Sequence, residues 1–384
     1  MAATINLNNE SRRLIIMSKN EAKQWLDKIN ALPCCYPIKI MNVCGGHERS
    51  LNQAGLRTLL PKHIELIPGP GCPVCICPES AIAMAIEIAL NEVVIVTTFG
   101  DMLRVPINTA KGKPRSLEQA RALGADIRPI ASPTEAREIA LQNPDQTVVF
   151  FMAGFETTTA PTAALIAEGI PDNLLLLLAA RRTWPAVEYL LKDNDPGFDA
   201  LIAPGHVSAV MGSDEWSFVA EQHRLPIAVA GFDSGSLLAA IYSVITQKQN
   251  NQAKLENCYP SVVKPQGNPV AQRLIDETLD VIDSPWRGIG TIPVSGYALN
   301  KKYRAHDANI HFSSYAISDE QQMMPPGCDC AQVVLGKCYP NQCRLYGTAC
   351  TPSTPIGPCM VSDEGACRIW WANGLHQQPD AKLA

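Results

Sequence analysis

Short runs of aliphatic residues recur through the first two thirds of the chain, and most are followed by turn residues and a helical pattern. Near-continuous runs that alternate with helices are typical of parallel strands covered on both faces. The fourth run is the weakest, because it contains Pro129. The runs span residues 38–43, 64–67, 93–96, 126–130, 147–152, 174–178, 200–203 and 227–230. With four units on each side of about residue 140, the pattern predicts two similar parallel-sheet α/β lobes.

The pattern differs at both ends of the chain. Residues 18–21 read Ser-Lys-Asn-Glu, a capping-box sequence that predicts a helix ending near Ala31. After a polar connector at residues 247–252, an amphipathic helix is predicted over about residues 269–282, followed by irregular sequence rich in proline, glycine and cysteine. A region with so little regular apolar spacing needs a cross-link, and a metal cluster would supply one.

Composition narrows the function classes. The 384 residues carry a net charge of −5, which gives no electrostatic reason to expect nucleic acid or an anionic membrane as partner. The longest apolar run, residues 174–180, is too short to span a bilayer. Residues 1–9 lack the basic patch and apolar core of a secretory signal, so we expect a cytoplasmic protein. There, 14 cysteines indicate metal binding or catalysis rather than structural disulfides.

Half of the cysteines lie in the last 60 residues, on irregular sequence. They are Cys328, Cys330, Cys338, Cys343, Cys350, Cys359 and Cys367. Four of them, Cys328, Cys343, Cys350 and Cys367, are separated by 14, 6 and 16 residues. Dispersed thiolates suit a cubane iron–sulfur cluster, whereas structural zinc favours paired Cys-x₂₋₄-Cys knuckles. A cluster is therefore the preferred interpretation, zinc is the alternative, and Cys330 could replace Cys328.

A second group of thiols lies in the proline- and glycine-rich segment 69–78. Cys72 and Cys75 form a Cys-x-x-Cys pair, which can close a disulfide or chelate one metal. The helix predicted to begin at Pro78 would favour thiolate through its N-terminal partial charge.

The sequence Cys44-Gly45-Gly46-His47-Glu48 follows a predicted strand. Cys44 could supply a third thiolate, with His47 as a proton carrier next to it. The alternative is a glycine turn in which His47 is an ordinary surface residue.

Two further segments follow predicted strands. Glu156 begins a helix whose N-terminus could bind an anion, although a polar cap is the commoner case, and His206 after Pro204-Gly205 is ambiguous in the same way. Ligands gather at the carboxyl ends of strands in open α/β sheets, so these loops are candidates for a shared cleft between the lobes. The chain contains no standard nucleotide-binding motif.

Taken together, these segments resemble the HypD family of hydrogenase maturation factors. The segments that carry the resemblance span nearly the whole chain in order: Cys44 to Glu48, Pro68 to Pro78, Gly154 to Thr158, Pro204 to Val207, and the tail from Cys328 to Cys367. Two thiols depart from the family pattern. Cys77 stands where the family more often has another residue, which leaves a Cys75–Cys77 or Cys72–Cys77 pairing open, and Cys338 is an extra thiol.

The resemblance implies two α/β domains of like fold, a third domain with a [4Fe–4S] cluster, and a scaffold on which the Fe(CN)₂CO unit of [NiFe]-hydrogenases is assembled. Its implied partners are a small HypC-type chaperone and a HypE-type cyanide donor. Cys44 and Cys72 would bind or gate the iron, with Cys75 pairing with Cys72 in redox chemistry and His47 assisting. The implied cluster ligands are Cys328, Cys343, Cys350 and Cys367.

The predicted fold class is therefore α/β, with two parallel-sheet lobes and a C-terminal iron–sulfur domain of mostly helical and irregular structure. We expect residues 1–36 to form an N-terminal helical segment packed on the C-terminal domain, which spans 247–384. The first lobe would span 37–140, with the Cys44/Cys72/Cys75 metal site, and the second 141–246. The expected function is a maturation scaffold with redox activity, using Cys72, Cys75, His47, Glu156 and His206. The alternatives are an iron–sulfur thiol-disulfide oxidoreductase and a zinc-stapled binding module.

Overall fold

The computed structural model describes residues 9–33, 36–192, 196–317 and 324–374. The strands of these residues are β1 (Ile38–Asn42), β2 (Ile64–Pro68), β3 (Val94–Phe99), β4 (Ile127–Ile130), β5 (Thr147–Gly154), β6 (Leu174–Ala180), β7 (Ala200–Pro204), β8 (Ile227–Ala230), β9 (Leu255–Asn257), β10 (Leu279–Trp286) and β11 (Gly290–Leu299). The helices are α1 (Asn9–Asn30), α2 (Gly45–Gln53), α3 (Leu56–Leu59), α4 (Pro73–Ile76), α5 (Glu79–Asn91), α6 (Leu117–Ala122), α7 (Pro133–Gln142), α8 (Glu156–Glu168), α9 (Thr183–Leu191), α10 (Gly205–Met211), α11 (Ser217–Glu221), α12 (Ser234–Gln249), α13 (Pro269–Thr278), α14 (Ala308–His311), α15 (Cys330–Val334) and α16 (Ala366–Ala372).

Two parallel sheets form the two lobes, which confirms the predicted fold class. The first sheet has the order β2-β1-β7-β8-β9, and the second has the order β4-β3-β5-β6. Every pairing within them is parallel. β4 forms despite Pro129 because it lies at the edge of its sheet, where a missing backbone donor is tolerated.

The sheets do not divide the chain at residue 140, so that expected boundary is wrong. β1 pairs with β2 on one side and with β7 on the other, with Ile40 opposite Ala200. The chain thus begins the first sheet, builds the whole second sheet, and returns to complete the first. The spacing of strand–helix units carries no information on which sheet a strand joins, so the sequence pattern could not reveal this crossover.

The N-terminal helix also differs from expectation. It begins at Asn9 rather than near residue 18, and it packs against α12 of the first lobe rather than on the tail. The ring centroids of Trp25 and Tyr242 are 5.4 Å apart at this contact. None of the helices within the described residues is both long and apolar enough to cross a membrane.

The predicted helix over residues 269–282 is too long. α13 ends at Thr278, and the chain then forms the antiparallel hairpin β10–β11. Gly288 and Gly290 in the turn have φ values of +71° and +108°, a region that glycine enters without strain. The tail after the hairpin is irregular with short helices, as expected.

One hydrophobic core joins the second lobe to both thiol groups. It contains Val149 and Leu177 of the second sheet together with Trp286 of the hairpin. It also contains Cys72, Cys75 and Cys77 and, from the tail, Cys328, Cys330, Cys343, Cys350, Cys359 and Cys367. The tail therefore packs against the second lobe and the Cys72 segment and does not form a detached domain.

Candidate functional site

The carboxyl ends of both sheets open onto one cleft of about 270 Å³. Loops after β1, β2, β7 and β8 line one side, and loops after β3, β5 and β6 line the other. Its walls include Cys44, Gly71, Pro73, Phe99, Asp101, Phe155, Thr157, Thr158, Thr183, His206, Phe232 and Glu364. This is the shared cleft that the positions of the loops predict.

Cys44 is the thiol that lines this cleft. It is half-buried and precedes the first turn of α2. Burial raises the pKa of the Cys44 thiol to about 12; backbone amides of His47 and Gly46 oppose the rise, and the carboxylate of Glu364 adds to it. Cys44 is therefore protonated at neutral pH, and it becomes a thiolate ligand only if metal binding displaces the proton.

Glu364 brings a carboxylate from the tail to the same wall. Burial raises its pKa, and the carboxylate of Asp101 raises it further. The tail is held here in part by Ser362, whose hydroxyl lies 3.1 Å from Asp101 Oδ2. A carboxyl with a raised pKa next to a protonated thiol is a candidate to accept the Cys44 proton.

The loops after β1 and β2 run close together, which places the Cys72 segment next to Cys44. The amide of Gly69 donates to Asn42 O at 2.8 Å, and that of Gly45 donates to Gly71 O at 3.2 Å. A side chain at residue 71 would collide with the Val43 carbonyl. Glycine is required at this position because the two backbones touch.

Cys72 and Cys75 are joined by a disulfide, and their Cα atoms are 5.3 Å apart. Cys77 is a separate, buried thiol. Cys72 and Cys75 are 4% and 3% exposed, next to Pro73 and Val74, which line the cleft. A disulfide withholds both sulfurs from a metal, so the predicted role of this pair as ligands requires its reduction first.

His47 is fully buried behind the cleft wall. Its Nδ1 lies 3.1 Å from Asn42 Oδ1 and its Nε2 lies 3.0 Å from Ala230 O. Asn42 in turn donates to Glu48, which pairs with the buried Arg57. Burial lowers the pKa of His47 to about 3, so the ring is neutral.

His206 lines the cleft and is exposed there. Its ring stacks on Phe232 with centroids 3.9 Å apart, and the ring of His47 also packs against Phe232, with centroids 4.6 Å apart. Burial lowers the pKa of His206 as well. The His47 ring is therefore separated from the cleft by Phe232, whereas His206 can meet a ligand directly.

Glu156 is buried beneath the cleft floor. Its Oε1 accepts from the Thr183 amide at 2.7 Å and its Oε2 from the Thr183 hydroxyl at 2.6 Å. Burial raises its pKa, and the bonds from Thr183 oppose that rise. This arrangement is a polar tie between α8 and α9, and it holds Thr157 and Thr183 in the cleft wall.

Four tail cysteines lie close together in the core: the side chain of Cys330 interacts with those of Cys328, Cys359 and Cys367. A hydrogen bond from Cys330 lowers the pKa of Cys328. Cys350 accepts from the Ile356 amide at 3.4 Å.

The donor set fits an iron–sulfur group in its chemistry. All four predicted ligands are thiols in one core, and a side chain at residue 357 would fill the space against the Cys328 and Cys330 sulfurs. Buried polar atoms that find no partner among the described residues, including Tyr346 Oη and Trp370 Nε1, lie in the same core. Within the described ranges, no three His, Cys, Asp or Glu side chains are arranged to hold a single metal ion. The predicted ligand sets therefore remain predictions.

Sequence reasoning missed several residues that the fold brings to these sites. Phe232, Asp101 and Glu364 line the cleft, and Cys359 interacts with Cys330, the residue that the sequence offered only as a replacement for Cys328. Phe232 had a signal, because it follows a predicted strand. Glu364 had none, since only the packing of the tail places it beside the Cys44 segment.

Comparison with known proteins gives matches over nearly the whole chain. Residues 20–374 match HypD, described as "Hydrogenase formation hypA family". The chain is 42% identical over 339 residues to the hydrogenase maturation factor HypD of Escherichia coli strain K12, covering 87% of this chain and 89% of that protein. It is 41% identical over 353 residues to a putative hydrogenase expression/formation protein of Methanocaldococcus jannaschii, covering 91% and 96%. It is 41% identical over 343 residues to HypD of Rhodobacter capsulatus, covering 88% and 90%.

Proposed function

Because the chain belongs to the HypD family of hydrogenase maturation factors, we propose that it is a scaffold on which the Fe(CN)₂CO unit of [NiFe]-hydrogenases is assembled. The iron would be cargo, held in the cleft between the lobes. The observation that carries this proposal is the convergence of Cys44, the Cys72–Cys75 segment and the cysteine-rich tail on that cleft and the core beside it.

Iron binding at Cys44 needs loss of the thiol proton. Cyanide and carbon monoxide require low-spin ferrous iron, for which thiolate is a suitable soft ligand. Glu364 lies on the same wall as Cys44 and has a raised pKa, so it would take up the proton as the metal enters. His206 and Phe232 would form the wall against which the small ligands are placed.

Reduction of the Cys72–Cys75 disulfide would consume two electrons and two protons and free two thiols beside Cys44. One of these thiols, as thiolate, would complete the anchor for the iron. The surroundings of the pair suit this step, because α4 packs against both α15 and the segment Pro358–Met360. These elements carry Cys330 and Cys359, so two further thiols of the tail lie on elements that contact the helix of the disulfide.

When bound by Cys328, Cys343, Cys350 and Cys367, a [4Fe–4S] cluster would supply single electrons. A HypC-type chaperone that delivers or removes the iron and a HypE-type cyanide donor are the proposed partners at the cleft mouth. A reducing cytoplasm, which keeps the spare thiols reduced, is part of the same proposal. The low exposure of the disulfide argues against the alternative of a general oxidoreductase for small disulfides.

Hydrogenase activity in a host that lacks its own HypD tests this proposal. Cys44→Ala, Cys72→Ala and Cys75→Ala are each expected to abolish maturation, because the anchor or its redox partner is lost. Cys72→Ala and Cys75→Ala should keep the visible absorbance of the iron–sulfur group. Cys258→Ala, a half-buried thiol outside the cleft lining, is the matched control and should mature hydrogenase normally. Full maturation by the Cys72 or Cys75 variant would remove the dithiol from the mechanism.

A further inference from the structure

The turn of the β10–β11 hairpin places an arginine between the two thiol groups. The amide of Arg287 donates to Ile76 O at 3.1 Å, in the segment that joins Cys75 to Cys77. On the other side, the neighbouring Gly288 lies so close to Ala331 of α15 that a side chain there would contact it. The hairpin turn is thus wedged between α4 and the tail.

The guanidinium of Arg287 is completely buried and only partly satisfied. Its Nη2 donates to Glu79 Oε2 at 3.0 Å and to Pro106 O at 2.7 Å. Its Nε and Nη1 are buried without a hydrogen-bond partner among the described residues. An unsatisfied buried donor costs about 1–3 kcal/mol, and more when it is charged. These two donors point to an acceptor that the described protein groups do not supply.

The guanidinium of Arg287 lies within electrostatic range of sulfur on both sides of the hairpin turn, namely Cys77 and Cys328 of the tail. Trp286 and Gly288, on either side of Arg287, line a cavity of about 760 Å³ together with Cys328. The carboxylate of Glu79, which pairs with Arg287, also accepts hydrogen bonds from the amide and the side chain of Asn108.

We propose that Arg287 is a positioning residue whose buried positive charge and unpaired N–H groups stabilise negative charge on the iron–sulfur group of the tail and so raise its reduction potential. This inference rests on the proposed function. Thiolate and sulfide sulfur accept hydrogen bonds, and net charge and hydrogen bonds to sulfur are among the factors that set cluster potentials. Reduction adds one electron and no proton, so a fixed positive charge nearby favours the reduced form.

Redox titration of the anaerobically purified protein with dithionite, followed by visible absorbance, tests this role. Arg287→Gln is expected to lower the equilibrium constant for one-electron reduction at least tenfold, a shift of 59 mV or more to negative potential. Arg57→Gln is the matched control, because Arg57 is a buried arginine paired with Glu48 in the first lobe. It should leave the midpoint unchanged. Glu79→Gln removes the negative partner and should shift the midpoint in the opposite direction.

Each outcome decides a different point. Absence of iron and sulfide from the wild-type protein overturns the proposed cluster, and the role of Arg287 with it. A loaded Arg287→Gln protein with the wild-type midpoint overturns the role of Arg287 alone, as does an equal fall in Arg57→Gln. If Arg287→Gln does not retain its iron, Glu79→Gln decides: a rise in potential supports the role, and no rise overturns it.

Discussion

Cys44 combines an accessible position with a strongly suppressed thiolate. It lines the cleft, yet burial and nearby carboxylates raise its pKa to about 12. A protonated thiol is a poor nucleophile and a poor metal ligand. Only an incoming cation that offsets the loss of the proton converts it to a ligand, so the free protein is protected against oxidation at its proposed iron anchor.

The pH dependence of Cys44 alkylation tests this description. With a pKa of about 12 rather than the ordinary 9.0, the thiolate fraction at pH 8 falls roughly a thousandfold. We therefore expect slow modification of Cys44 by iodoacetamide at pH 8, rising about tenfold per pH unit up to about pH 11. Mass spectrometry of the Cys44 peptide measures this, with the urea-unfolded chain as control. A rate that levels off near pH 9 would contradict the burial argument.

At the scale of residues, the sequence predicts which side chains follow a strand into the cleft, but not which groups they contact there. Cys44 and His206 were found because each follows a strand at the edge where parallel sheets bind ligands. His47 follows the same strand as Cys44, yet it is turned away from the cleft into the network of Asn42 and Ala230. Which side of a helix faces the cleft depends on packing between elements, and Glu364 reaches the site from the far end of the chain for the same reason.

At the scale of elements, the contact between the loops after β1 and β2 determines the geometry of the thiols. The parallel pairing continues past the strand ends, with Gly69 donating to Asn42 and Gly45 donating to Gly71. This brings the first turn of α2 and the short helix α4 side by side. The absence of a side chain at Gly71 is what permits the approach.

Gly71→Ala tests the importance of this contact. The added methyl group would overlap the Val43 carbonyl, so we expect the free energy of unfolding to fall by about 1–3 kcal/mol. Gly100→Ala is the matched control, since a side chain there meets nothing within 4 Å. That control should change stability by less than about 0.5 kcal/mol. Urea denaturation of both variants measures the difference, and equal stabilities would show that the loops can separate without cost.

At the scale of elements, the hydrophobic pattern predicts the strands β1 to β8 but not the hairpin β10–β11. Aliphatic runs located β1 to β8, and even Pro129 did not prevent β4 because that strand lies at an edge. The hairpin β10–β11 was missed because α13 and β10 are adjacent and the apolar residues Val281 and Ile282 continue the helical spacing. In the fold both are exposed on the hairpin. Its turn glycines were the signal that could have found it.

At the scale of the whole molecule, sulfur atoms from distant parts of the chain share one core. The crossover that returns the chain from the second sheet to β7 places both sets of strand ends around one cleft. The tail then closes the assembly, with Glu364 at the cleft and its cysteines beside Cys72 and Cys75. The sequence indicated two lobes and two thiol groups, but their adjacency arises from this interleaved topology, which the spacing of strands does not encode.

The ligand assignment of the tail gives a prediction at this scale. Cys350→Ala is expected to lose iron and sulfide and to make residues 324–374 sensitive to protease, because the cluster would be the cross-link of this irregular segment. Cys338→Ala, a half-buried thiol of the same tail, is the control and should retain its iron. Iron and sulfide analysis of the two proteins, prepared anaerobically, measures this. Unchanged metal content in Cys350→Ala would refute its place among the ligands.

Infrared spectroscopy of the protein purified anaerobically with the proposed HypC-type chaperone tests the proposed scaffold role most directly. Nitrile and carbonyl stretching bands are expected from the wild-type protein and from the Cys258→Ala control. Cys44→Ala should lose these bands while keeping the visible absorbance of the iron–sulfur group. Bands of unchanged intensity in Cys44→Ala, or none in the wild-type complex, would contradict assembly of the iron unit in the cleft between the two sheets.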